Sequence, residues 1–163
     1  MWWKPSKPNE IKPIPWLAPQ VIARLESLLT PDMNVLEHGS GGSTLWLSEH
    51  IYTVTAYEYN DEWFNEVEGA KDNIFIHEGM PSVACGFYDL LLIDGEPIED
   101  RAKWIESAPE FVKPGGWVVL DNANRPEYAK ERKWLQDIAE SCETFDCNEG
   151  TAYLVTEFYK MKG

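Results

Sequence analysis

The feature that most constrains the fold is an alternation of short apolar runs with helical patterns. The apolar runs lie at residues 34–37, 52–58, 73–77, 88–94 and 117–121. The helical patterns lie at residues 19–29, 44–50, 61–69, 98–112 and 126–140. Apolar strands separated by helices are typical of a parallel sheet that is covered on both faces. Two last runs, at 143–146 and 152–158 with a turn at 148–150 between them, predict one antiparallel strand at the edge.

The chain of 163 residues is therefore predicted to be one α/β domain, doubly wound and mostly parallel, at residues 19–163. A proline-rich segment at residues 1–18 precedes it and cannot form a regular helix. Trp2, Trp3 and Trp16 in this segment favour burial. We expect the segment to pack on the domain.

Acidic residues are concentrated in one part of the chain. The formal net charge is −14, and residues 35–100 carry fourteen acidic side chains against the single base Lys71. Such a surface repels phosphate backbones, so we expect neither nucleic acid nor an anionic membrane as partner. Three cysteines without a CxxC pair, and no signal peptide or membrane-spanning run, favour a cytoplasmic protein.

A glycine-rich loop follows the first predicted strand, with the sequence Glu37-His38-Gly39-Ser40-Gly41-Gly42-Ser43-Thr44. Glycines let the backbone turn tightly and approach a ligand closely. A dinucleotide-binding fingerprint would require glycine where Thr44 stands. The carboxylate of Glu37 would repel a pyrophosphate but could accept hydrogen bonds from an ammonium group or attract a sulfonium. These residues favour a ligand other than a dinucleotide.

The loop, together with the acid Glu58 at the end of the second predicted strand, resembles the class I S-adenosylmethionine-dependent methyltransferases. The resemblance implies a Rossmann-like sheet in which Glu58 holds the ribose hydroxyls of the cofactor and the glycine loop cradles its methionine part. It also places the adenine near the end of the third strand. The implied cofactor-binding residues are Glu37, Gly39, Gly41, Gly42, Ser43, Tyr57, Glu58, Glu78, Gly79, Met80 and Asp94.

A second group of polar residues ends the fourth and fifth predicted strands. Asp94, Asp121 and Asn122 offer oxygen ligands of the kind that Mg²⁺ or Ca²⁺ prefers. This trio resembles the metal site of the catechol-type O-methyltransferases. The alternative is an acid at the fourth strand without metal, followed by an ordinary Asp-Asn turn.

Those enzymes place a lysine base just after the first metal ligand, whereas Glu96 and Pro97 follow Gly95 here. The candidate catalytic residues are therefore Asp94, Glu96 and His38. The alternative for His38 is a structural role, which is the commoner one for a single histidine.

The resemblance implies a methyltransferase acting on a small hydroxyl-bearing acceptor. No long insertion covers the predicted site, so a glycan acceptor or a homodimer that completes the site is also compatible. Arg125, on a loop at the ligand edge, could grip an anionic acceptor or neutralise Asp121. Two alternatives stay open. One is a nucleotide-dependent oxidoreductase that uses Glu58, and the other is a non-catalytic S-adenosylmethionine-binding module.

Overall fold

The computed structural model describes residues 11–82, 86–147 and 155–163. Seven strands form one sheet in the order β3-β2-β1-β4-β5-β7-β6. Their bounds are β1 Asn34–His38, β2 Thr53–Tyr57, β3 Ile74–His77, β4 Tyr88–Ile93, β5 Val112–Leu120, β6 Ser141–Asp146 and β7 Val155–Lys160. Strands β1 to β5 pair in parallel, and β7 runs antiparallel to both β5 and β6. The mostly parallel α/β sheet is confirmed, and its antiparallel strand β7 lies one place inside the outermost strand β6.

Five α-helices connect these strands. They are α1 Pro19–Leu28, α2 Gly42–Ser48, α3 Asp61–Val67, α4 Arg101–Phe111 and α5 Ala129–Ile138. Proline at the first position suits the start of α1, and the Asn60 side chain caps α3 by accepting from two backbone nitrogens. Short 3-10 turns at Ile98–Asp100 and Pro126–Tyr128 lead into α4 and α5. The helical patterns predicted at 98–112 and 126–140 therefore each begin with a tighter turn.

Two hydrophobic cores cover the two faces of the sheet. On one face, helices α1, α2 and α3 pack Leu25, Leu47 and Val67 against strand residues such as Val35. On the other face, α4 and α5 pack against strand residues such as Leu36. Neighbouring residues of β1 thus point to opposite faces, as the period of a strand requires. The same alternation directs the side chains of Glu37 and His38, at the end of β1, to opposite faces of the sheet.

The segment before α1 lies directly on the glycine loop. Leu17 and Ala18 are buried, and a Cβ atom added to Gly42 would lie 2.3 Å from the Ile14 carbonyl oxygen. Only glycine permits this approach of two backbones. Trp2 and Trp3, together with the turn predicted at 148–150, lie outside the described residues.

None of the helices in the described ranges is both long enough and apolar enough to cross a membrane.

Candidate active site

A cavity of about 290 Å³ opens at the edge of the sheet where the parallel strands end. Its floor comes from residues that follow β1, β2, β4 and β5, which is where ligands bind in open α/β sheets. Four predicted strands end on an acid, and three of these acids, Glu58, Asp94 and Asp121, line the cavity. The fourth, Glu37, does not line it. The structure therefore brings three of the four strand-terminal acids into one cavity.

The strand order arranges these residues in a row. Because β2, β1, β4, β5 and β7 are successive neighbours, the row runs from Glu58 through Gly39 and Asp94 to Asp121 and Thr156. Glu58 stands at one end of the cavity, and Asp121 and Thr156 stand at the other. A ligand held by Glu58 that extends across the glycine loop would point toward Asp94.

The glycine loop and Glu58 are joined by hydrogen bonds. The backbone nitrogen and the hydroxyl of Ser40 donate to Glu58 Oε2 at 2.8 and 2.9 Å, and the Asn60 nitrogen donates to Oε1 at 2.9 Å. Gly39 has a φ of +98°, and a Cβ there would lie 2.7 Å from the Gly95 Cα. The loop can therefore lie this close to the end of β4 only with glycine at position 39.

Glu37 supports the loop from below. It is fully buried and accepts hydrogen bonds from the hydroxyls of Ser43 and Thr44, the latter at 2.6 Å. Burial, with the nearby charge of Asp94, raises the pKa of Glu37 well above its usual range. Because Glu37 does not line the cavity, its position fits a role in holding the start of α2.

His38 does not line the cavity, so its catalytic role stays a prediction that the geometry does not favour. Its ring is buried and stacks on Trp104 of α4, with ring centroids 4.9 Å apart. Strand alternation sends it to the face opposite Glu37, away from the cavity. Burial, followed by the charge of Arg101, lowers the pKa of His38 to about 3, so the ring is neutral.

The trio predicted to bind a metal is engaged by protein groups. Asp121 Oδ1 accepts a hydrogen bond from Thr156 Oγ1 at 2.8 Å, and Asn122 Oδ1 lies 3.4 Å from the Nη1 of Arg101. A permanent guanidinium charge at this place repels a second cation. In residues 11–82, 86–147 and 155–163, no group of three or more His, Cys, Asp or Glu side chains is arranged to hold a metal ion. As arranged, these residues do not fit Mg²⁺ or Ca²⁺.

The other predicted cofactor residues divide into two groups. Gly39, Ser43 and Asp94 line the cavity, and the candidate catalytic residue Glu96 lies at its mouth, within 3.4 Å of the Tyr59 hydroxyl. The residues that do not line the cavity are Gly41, Gly42, Tyr57, Glu78, Gly79 and Met80. Their contact with a cofactor stays a prediction.

The sequence analysis missed two lining residues, Arg101 and Thr156, and the pairing of Trp16 with Trp63. Arg101 and Thr156 reach the cavity from α4 and β7, and no local motif distinguishes them from surface residues. Trp16 and Trp63 form one wall, in an edge-to-face pair with centroids 5.3 Å apart. Paired aromatics separated this far in sequence give no pattern along the chain, although the burial of Trp16 was expected.

Comparisons with known proteins agree with this architecture. No family model matches the chain. The chain is 28% identical over 142 residues to a ubiquinone biosynthesis O-methyltransferase from Paraburkholderia phymatum, a match that covers 76% of this chain and 58% of that protein. The chain thus spans less than three fifths of the length of this curated relative.

Solved structures share the fold at low sequence identity. An S-adenosylmethionine-dependent O-methyltransferase from Thermotoga maritima matches with a TM-score of 0.68 and 17% identity, over 90% of this chain and 66% of that one. A tRNA methyltransferase from Aquifex aeolicus matches with a TM-score of 0.68 and 15% identity, over 88% and 68%. An O-methyltransferase from Bacillus cereus, solved with S-adenosylhomocysteine, matches with a TM-score of 0.64 and 17% identity, over 88% and 78%. The Rossmann-like fold that the resemblance implied is confirmed. The sequence similarity to an O-methyltransferase agrees with the resemblance to class I S-adenosylmethionine-dependent methyltransferases.

Proposed function

We propose that this chain is an S-adenosylmethionine-dependent methyltransferase that methylates an oxygen of a small hydroxyl-bearing or glycan acceptor. The observation that supports the proposal most strongly is the pair of hydrogen bonds from Ser40 to Glu58. These bonds hold an acid at the end of β2 against the glycine loop. The sequence relative named an O-methyltransferase supports the choice of oxygen.

The residues of the cavity fit such a cofactor. Glu58 Oε1 receives only one hydrogen bond within the described residues, so it keeps acceptor capacity for a ribose hydroxyl. Gly39 and Gly95 both line the cavity, and neither carries a side chain that would keep a ligand from the backbone. Trp16 and Trp63 offer aromatic surface beside them. When bound, S-adenosylmethionine would supply a methyl group on a cationic sulfur: the acceptor oxygen would bond to the methyl carbon as the carbon–sulfur bond breaks, and S-adenosylhomocysteine would leave.

The acceptor half of the site lies over β4, β5 and β7. Since Glu58 marks one end of the row, the reacting carbon belongs near Asp94, and the acceptor belongs beyond it toward Asp121. The carboxylates of Asp94 and Glu96 line the cavity, and we assign to them the acceptance of the proton from the acceptor hydroxyl. The walls orient the two reactants and exclude water. No step is assigned to a metal ion.

We infer that the acceptor is a small molecule or glycan rather than a nucleic acid. The chain carries a formal net charge of −14, and four acids, Glu58, Asp94, Glu96 and Asp121, line the cavity against two arginines. A polyanionic acceptor would be repelled over most of this surface. An acceptor with one carboxylate could still be met by Arg125, which lies at the cavity on the loop after β5.

Ligand-dependent unfolding tests the cofactor. We expect S-adenosylhomocysteine at about 100 times its Kd to stabilise the protein by about 2.7 kcal/mol, and NAD to leave the unfolding temperature unchanged. Stabilisation by NAD alone would support the oxidoreductase and overturn the proposal.

Transfer is tested with S-adenosylmethionine carrying a labelled methyl group and pools of phenols, sugars and hydroxy acids, with tRNA as a separate pool. Label in a hydroxyl-bearing small molecule is the expected result. Label in tRNA would contradict the inferred acceptor class. Cofactor binding without transfer to any pool would favour the non-catalytic module.

A further inference from the structure

Arg101 is a buried arginine at the start of a helix. It is the first residue of α4, where the positive end of the helix dipole disfavours a cation, and it is only 2% exposed. Burying a guanidinium is costly unless its donors and its charge are met by the protein. The hydrogen-bond partners of Arg101 therefore indicate its role.

All the groups that meet Arg101 belong to the ligand edge of the sheet or to the turn beside it. Nε donates to the Gly95 carbonyl at 2.9 Å, and Nη1 donates to the Asp121 carbonyl at 2.7 Å. Nη1 also lies 3.4 Å from Asn122 Oδ1 and 3.2 Å from the Tyr128 hydroxyl. That hydroxyl in turn donates to the Asn122 carbonyl at 2.6 Å. One side chain thus joins the loops after β4 and β5.

A cation among oxygens from the ends of β4 and β5 is the arrangement that the sequence predicted for a divalent metal. The charge here is single and covalently attached, and its partners are carbonyl, amide and hydroxyl oxygens. We propose that Arg101 is an internal cation that takes the place of a divalent ion at this edge. It orders the Gly95 and Asp121 loops and makes the site independent of Mg²⁺ and Ca²⁺.

Two properties of the Arg101 guanidinium suit it to hold the loops after β4 and β5. A guanidinium keeps its proton at every physiological pH, and its planar fork fixes the direction of each hydrogen bond. Asp121 and Asn122 are thus held in one geometry without any exchange of ions with solvent. Arg101 acts through these residues, so it is a positioning residue. Its effect on methyl transfer depends on the proposed function, whereas its effect on metal binding does not.

The wild-type protein tests the proposal without any variant. The unfolding temperature is measured with MgCl2, CaCl2 or MnCl2 at about 5 mM, against NaCl at equal ionic strength, because a ligand of the native state raises that temperature. We expect no shift beyond the NaCl control and no loss of S-adenosylhomocysteine binding in EDTA. A shift of several degrees with a divalent ion, or loss of binding in EDTA, would overturn the proposal.

Substitution of Arg101 separates this role from mere support of the fold. Arg101→Met removes the charge and leaves Asp121 and Asn122 open to a cation. We expect it to lower the unfolding temperature and to gain a divalent-ion stabilisation of several degrees that the wild type lacks. Arg101→Lys keeps a charge and should gain none. A purely structural arginine would give destabilisation without any response to metal, and that result would contradict the proposal.

Two further measurements complete the test. Arg24→Gln is the matched control, since it removes an arginine from a half-buried pair with Glu143 outside the cavity lining, and it should gain no response to divalent ions. If Arg101→Met does not fold, guanidinium ion at about 10 mM should raise the unfolding temperature of Arg101→Ala, which vacates the site, more than NaCl does. Equal effects of the two salts would count against the proposal. If the site is metal-independent but S-adenosylhomocysteine does not bind, the proposed function fails and the assignment of Arg101 stands.

Discussion

Ser40 donates two hydrogen bonds to one carboxylate oxygen of Glu58, from its backbone nitrogen at 2.8 Å and from its hydroxyl at 2.9 Å. The glycine loop after β1 and the acid after β2 are therefore one rigid unit. A charge-assisted hydrogen bond contributes about 1.5 to 3 kcal/mol when its partner is buried. The position of Glu58 in the cavity depends on this pair.

Removing the Ser40 hydroxyl should loosen that unit while leaving the backbone bond intact. We expect Ser40→Ala to reduce the free energy of unfolding by about 1 to 2 kcal/mol and to weaken S-adenosylhomocysteine binding several-fold. Urea unfolding and calorimetric titration measure the two effects. Ser27→Ala, at an exposed site on α1, is the control and should change neither. Unchanged ligand affinity in Ser40→Ala would show that the pair does not position Glu58.

Gly39 should tolerate no side chain, because a Cβ there would clash with the backbone of Gly95. Gly69 serves as the comparison that separates this clash from backbone strain. A Cβ at Gly39 would meet the Gly95 Cα at 2.7 Å, whereas Gly69 also has a positive φ, of +74°, but has nothing within 4 Å of such a Cβ. Gly69→Ala should cost only the backbone strain, about 1 to 2 kcal/mol. Gly39→Ala should cost clearly more and abolish S-adenosylhomocysteine binding. Equal losses of unfolding free energy would mean that the loop moves aside.

The buried acid Glu37 should give stability a recognisable pH dependence. Its pKa is raised in the folded protein, so the folded state binds more protons than the unfolded state between the usual value of 4.5 and the raised value. Its contribution to the free energy of unfolding therefore falls as the pH rises through that window. Glu37→Gln should remove this slope and be at least as stable as the wild type above it.

Urea unfolding at a series of pH values measures this slope. Glu62→Gln, an exposed acid in the first turn of α3, serves as the control, and its slope should match that of the wild type. A wild-type slope that persists in Glu37→Gln would contradict the assignment to Glu37.

The two tryptophans of the cavity wall should stabilise each other. Trp16 and Trp63 meet edge to face at 5.3 Å, in a geometry worth about 0.5 to 1.5 kcal/mol beyond burial. A double-mutant cycle with Trp16→Ala and Trp63→Ala should give a coupling of this size in the free energy of unfolding. Additive losses would mean that the segment before α1 does not depend on this contact.

The fold was accessible from the sequence because its signals are local. Apolar runs, helical spacing and the residues that end them predicted which strands and helices occur. The position of β7 inside β6, the start of β5 at Val112 and the 3-10 turns before α4 and α5 required the structure. Two consecutive strands joined by a tight turn at the end of the chain indicate that one of them is antiparallel to the rest of the sheet. This pattern leaves open which of the two pairs with β5, because that choice depends on packing between distant residues.

The candidate site was predictable to the extent that it depends on strand ends. The positions of Glu58 and Asp94 in the cavity were predictable, because ligands of open α/β sheets bind at the carboxyl ends of the strands. His38 was misplaced because adjacent residues of β1 point to opposite faces, and the motif was interpreted as a loop. Arg101 had no local signal at all. Its meaning comes from carbonyls that the fold brings to it from β4 and β5.

Calorimetric titration of S-adenosylhomocysteine into the wild type, Glu58→Gln and Glu66→Gln tests the central claim most directly. Glu66 is an exposed acid on α3, so both variants lose one charge and only one loses a residue of the cavity. The account predicts one site in the wild type, unchanged affinity in Glu66→Gln, and affinity about ten-fold or more weaker in Glu58→Gln. No binding to the wild type, or equal affinity in all three proteins, would contradict it.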